Sequence, residues 1–154
     1  MSVAELGQFL LDAFPDAPPP YLVSRVERGV VELRLPVVAA HGRPGGTVSG
    51  PALMALADCA AYLGVVAEIG PVALAVTTSL HIDFLRKPPM EDVTATSTLI
   101  KLGRRLAVAD VELRSTAPLE EPGQSGPPER RAFGGPPDLV AKAQVTYSIP
   151  PVRP

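Results

Sequence analysis

Val3, Leu6, Phe9, Leu10 and Phe14 recur at helical intervals, and Ser2 stands three residues ahead of Glu5 as in a capping box. The chain therefore predicts a short amphipathic helix at its start. Pro15 to Pro20 carries four prolines and cannot be a helix interior. Beyond it, Tyr21 to Arg25 and Val30 to Leu35 read as two strands joined by a turn at Glu27-Arg28-Gly29. His41 to Gly50, HGRPGGTVSG, is too rich in Gly and Pro for regular structure and suits a loop that brings its backbone close to a ligand.

Ser49-Gly50-Pro51 then has the form of a helix cap followed by a first-turn proline, and ALMALADCAAYLGVVAEIG runs on to Gly70 with almost no polar face. A helix apolar all round is a buried helix. From Ala73 the period changes to two, over Ala73 to Leu85, Asp92 to Leu102, Arg105 to Ser115 and Leu139 to Ile149, which predicts four long strands. Thr116 to Asp138 separates the last two. Within it, Ala117 to Pro137 holds six Pro and four Gly, so a mobile surface loop is expected rather than a domain boundary, because the flanking strands need each other. The pattern is α+β, helices on one face of an antiparallel sheet, in a single domain spanning residues 1–154.

Composition narrows the function. Hydrophobic residues make up 46% and charged residues 19%, enough for a sizeable core. The net charge of −2 lacks the basic excess that nucleic-acid binding needs. Cys59 stands alone, and two histidines far apart do not make a zinc site, so neither a disulfide framework nor a metal is expected. The N-terminus has no signal-peptide pattern, and Asp58 and Glu68 interrupt the most apolar stretch, which argues against a membrane span and for a cytoplasmic protein.

Asp58 is the most informative residue, because a carboxylate in the middle of an apolar helix is costly to bury unpaired. It is either half of a structural ion pair or a general base or nucleophile whose setting tunes it. Gly50 and Pro51 start the same helix, where free N–H groups favour developing negative charge; Gly50 is either an oxyanion donor or an ordinary cap glycine. Asp58 lies about two turns further on, so a neighbouring chain is expected to complete such a site. By alternation His81 shares a face with Thr77 and Asp83, as a surface or interface group, while His41 could line an entrance. Cys59, on a different helix face from Asp58, reads as core.

The segments GTVSGPALMALADCAAY, AVTTSLHIDFLRKP and KLGRRLAVADVEL resemble hotdog-fold acyl-CoA thioesterases of the phenylacetate-degradation type. The resemblance implies a long antiparallel sheet curled around the helix from Pro51, joined edge to edge into a homodimer and commonly paired again as a homotetramer. It implies hydrolysis of an acyl- or aryl-CoA thioester without a cofactor. Asp58 falls at the family's catalytic acidic position, Gly50 at the glycine whose N–H polarises the thioester carbonyl, and Thr77 at a Ser or Thr that holds the attacking water in some members. A strand threonine on a pleated face is the plainer reading of Thr77. Ser49 stands where the family has His, and Arg43 about where many members have Asn, so a non-catalytic protein that binds acyl-CoA as ligand or regulator is the alternative. Hydratases of the wider superfamily place a His five residues after the Asp; here that position is Leu63. Arg86-Lys87 and Arg104-Arg105 are either solvated or hold the phosphates of CoA.

Overall fold

The computed structural model describes residues 1–17, 19–117 and 138–151. Most of the segment expected as a loop, 118–137, lies outside the described residues. Helix α1 (Val3–Ala13) starts with the expected capping box: the Ser2 hydroxyl accepts from the Glu5 N–H, and the Glu5 carboxylate accepts from the Ser2 N–H. A hairpin of β1 (Leu22–Glu27) and β2 (Val30–Leu35) follows.

The Gly-rich stretch is more regular than its composition suggests. A 3₁₀ turn at Ala39–His41 leads into a miniature hairpin, β3 (Gly42–Arg43) paired with β4 (Thr47–Val48). Gly45 and Gly46 make its turn, with φ of 102° and 71°, which glycine alone adopts cheaply. A hairpin this short is set by that turn rather than by hydrophobic alternation, so no period announces it.

Helix α2 (Gly50–Ile69) is capped by Ser49, whose hydroxyl accepts from the Ala52 N–H, and ends at Gly70 with φ 88°. Strands β5 (Val76–Phe84), β6 (Val93–Leu102), β7 (Leu106–Ser115) and β8 (Leu139–Ser148) complete an antiparallel sheet of order β1-β2-β6-β7-β8-β5. The sheet wraps α2, which packs on β2, β6 and β7 through Leu53, Leu56, Leu63, Val65 and Val66, all almost fully buried. Each such side chain contributes about 1.5–3 kcal/mol on leaving water. This is the hotdog architecture. By length and composition α2 is apolar enough to cross a membrane, but here it is the core helix, mostly covered.

Two further expectations need correcting. First, α2 is not buried all round. Pro51, Met54 and Ala55 are exposed and Asp58 partly so, a stripe at helical spacing that the sheet of this chain does not reach. Second, His81 does not share a face with Thr77. Thr77 pairs with Tyr147 and Ser79 with Thr146, so Thr78 is an extra residue, a β-bulge. Beyond the bulge Leu80 and Ile82 turn to the core, while His81 and Asp83 point outward and touch each other at 3.3 Å. One extra residue reverses the parity of everything after it.

Candidate active site

Asp58 sits midway along α2, opposite the bulged end of β5. The Thr77 hydroxyl donates to Asp58 Oδ1 at 2.7 Å, and the Tyr147 hydroxyl donates to the same oxygen at 2.7 Å. Thr77 and Tyr147 are a cross-strand pair between β5 and β8, so the sheet delivers both donors side by side to the helix. Among the described residues Asp58 forms no ion pair, and Oδ2 has no partner. The structural ion pair is thus replaced by two neutral donors on one oxygen. Both donors are spent on Oδ1, which leaves the second oxygen without a hydrogen bond among the described residues.

The surroundings of Asp58 are neutral. Burial pushes the Cys59 thiol up to about 12, with the Asp58 carboxylate adding to the effect. Tyr21, in the segment before β1, is also pushed up to about 12, by burial first and then by Cys59 and Asp58. Burial, with the hydrogen bond to Asp58, holds the Tyr147 phenol well above its ordinary value. All three therefore keep their protons where a carboxylate is charged. Cys59 is a poor nucleophile there and reads as packing.

Gly50 opens α2 about two turns away, roughly 12 Å along the axis. Its N–H has no acceptor among the described residues. The Phe84 ring lies against it, 3.4 Å from where a side-chain carbon would stand. The Ser49 N–H donates to the His41 carbonyl at 2.8 Å, and His41 Nδ1 accepts from the Val38 N–H at 3.0 Å. His41 thus braces the loop that aims the helix start. Arg43 lies exposed on β3.

The cationic pairs separate. Arg86 is partly buried and donates to the Leu139 carbonyl at 3.0 Å, tying the end of β5 to β8, while Lys87 is exposed. Arg104 and Arg105 are exposed in the β6–β7 turn, beside an open cavity of about 1480 Å³ whose walls include Ile69, Val72, Leu74 and Ile149. Asp58, Thr77 and Tyr147, the last not marked by the sequence, are brought together; Ser49 and Gly50 stand at the helix start, and Arg43 lies exposed on β3 of the hairpin that leads into it. No composition or spacing signal marked Tyr147, which reads as one more aromatic in a strand.

Residues 45–121, half of the chain, match the model of the thioesterase superfamily. The chain belongs to the thioesterase superfamily. A provisionally named thioesterase from Silicibacter sp. TM1040 is 38% identical, with a TM-score of 0.77 over 98% of this chain and 93% of that one. Zebra fish thioesterase superfamily member 2 shares the fold at 19% identity, TM-score 0.73, over 97% and 99% of the two chains. A provisionally named esterase of Thermoplasma acidophilum is 29% identical over 89 residues, 58% of this chain and 67% of its own length. Within the superfamily, a thioesterase-type activity is the function these likenesses support.

Proposed function

We propose that this superfamily member hydrolyses an acyl- or aryl-CoA thioester to the free acid and CoA. The observation that carries the reading is the Asp58 carboxylate, tethered through Oδ1 by two hydroxyls while Oδ2 has no hydrogen-bond partner among the described residues. As general base, Oδ2 takes a proton from water while the water oxygen bonds to the thioester carbon; the C–S bond then breaks and the departing thiolate of CoA is protonated. As nucleophile, Oδ2 bonds to the thioester carbon, the C–S bond breaks and CoA leaves as the thiolate, and water then opens the resulting mixed anhydride to the free acid and the regenerated Asp58 carboxylate. Thr77 spends its proton on Asp58 and keeps lone pairs to accept from that water. The Gly50 N–H is the oxyanion donor.

Asp58 and Gly50 are too far apart along one helix to meet on one carbonyl, so a second copy supplies the missing half. β5 is an edge strand, and Val76, Phe84, Leu85 and Met54 around it are exposed apolar side chains. An edge of this kind favours pairing with another chain, and we take a homodimer through β5, paired again as a homotetramer, to be the working form. The open cavity beside Arg104 and Arg105 suits the phosphate-bearing part of CoA better than Arg86, whose guanidinium is engaged with the backbone. The mildly acidic chain takes no nucleic acid or membrane as partner in this reading, needs no cofactor, and acts in the cytoplasm.

Asp58→Asn tests the assignment. Asparagine retains a carbonyl oxygen to accept from Thr77 and Tyr147, so the fold and melting temperature should hold, while kcat against a panel of acyl-CoAs falls ~10²-fold or more. Full activity in the variant would end the catalytic role of Asp58. Tight binding of acyl-CoA with no hydrolysis by the unaltered protein would favour the non-catalytic binder that Ser49 and Arg43 allow.

A further inference from the structure

We propose that Tyr147 is a positioning residue: with Thr77 it fixes Asp58 Oδ1 and dedicates Oδ2 to the reaction. The proposal rests on the reading of Asp58 as the reacting carboxylate. The two oxygens of a free carboxylate are equivalent, and a half-turn about the terminal torsion exchanges them. Two donors from two different strands, both aimed at one oxygen at 2.7 Å, remove that equivalence. Tyr147 also approaches the Asp58 carbonyl at 3.1 Å, but it has one proton, and the charged oxygen at 2.7 Å is the stronger acceptor.

Tyr147 is itself immobile. It is 3% exposed, and its ring stacks on Tyr62 with centroids 5.9 Å apart and planes at 30°. Tyr62 is pinned in turn, its hydroxyl donating to the Ala73 carbonyl at 3.2 Å and its ring touching Phe9 and Phe14. A row of rings thus runs from α1 to β8 and ends on the carboxylate. Thr77 from β5 and Tyr147 from β8 contact the Asp58 carboxylate, and Cys59 from α2 and Tyr21 from the segment before β1 lie near enough to feel its charge. None is a cation, so hydrogen bonds and not an ion pair hold the carboxylate.

Tyr147→Phe keeps the stacked ring and deletes the donor. In the full-length protein kcat should fall on the order of 10-fold to 100-fold with KM for an acyl-CoA within about twofold, since a misaimed group costs rate rather than binding. The acid limb of the kcat profile should move to higher pH, because a hydrogen bond to the ionised form has been lost. A merely structural tyrosine would lower the melting temperature and the active fraction and leave that limb in place, which would overturn the proposal. Incorporating 3-fluorotyrosine at position 147 covers the case in which the phenylalanine variant does not fold. The stronger donor should move the limb to lower pH, and an unmoved limb again overturns the role. If the unaltered protein hydrolyses no CoA thioester, the functional reading fails on its own. A crystal structure of Tyr147→Phe then decides the positioning role: a rotated Asp58 carboxylate upholds it and an unmoved one refutes it.

Discussion

Gly64 and Ser97 should behave as a coupled pair whose mutual effect changes sign. Gly64 lies on the buried face of α2, and a methyl group there would stand 2.9 Å from Ser97 Oγ on β6 but 3.6 Å from Ser97 Cβ. Ser97 is fully buried, and its hydroxyl has no hydrogen-bond partner among the described residues. In the native background Gly64→Ala gains about 1 kcal/mol of helix propensity but crowds that hydroxyl at ~1–3 kcal/mol, so a net loss near 1 kcal/mol is expected. Ser97→Ala alone removes an unsatisfied buried group and should stabilise by about 1 kcal/mol. With Oγ gone the clash is gone too, since 3.6 Å is ordinary contact. Gly64→Ala in the Ser97→Ala background should then stabilise by about 1 kcal/mol, a coupling of roughly 2 kcal/mol. Thermal melts of the four proteins at one protomer concentration read this directly, at about 2–4 °C per kcal/mol for a chain of this size. If Gly64→Ala costs the same with and without the serine hydroxyl, the close approach of helix and sheet is not where the structure puts it.

Two further outcomes follow from the same geometry. The Cys59 thiol, raised from 9.0 to about 12 by burial and Asp58, binds its proton more tightly folded than unfolded. Its contribution to stability is complete below about pH 9 and lost as pH rises toward 12, so the alkaline decline in denaturation free energy should be shallower in Cys59→Ala; an equal slope would show the thiol is not shielded. Arg104→Ala with Arg105→Ala should raise KM for CoA thioesters far more than for a short thioester lacking the nucleotide, because only CoA carries phosphates. Equal effects on both substrates in steady-state kinetics would show the phosphates are held elsewhere.

The sequence by itself determined what depends on neighbours along the chain. The Ser2–Glu5 box, the Ser49 cap and Pro51 mark their helices because capping is local, and the switch from an apolar helix to period two marks the long strands. Asp58 was legible for a similar reason: a lone carboxylate among apolar residues is conspicuous without knowledge of what faces it. Three features needed the tertiary structure. The bulge at Thr78 arises from pairing with β8, and it turned His81 away from the site against simple alternation. The open stripe of α2 depends on how far the sheet wraps, which an almost uniformly apolar helix does not encode. Tyr147 reaches Asp58 across 89 residues of chain, through a register set by β7 and β5 together. Hydrogen bonds of that range leave no periodic trace in the sequence, because the packed sheet, not the local backbone, decides which hydroxyl meets the carboxylate.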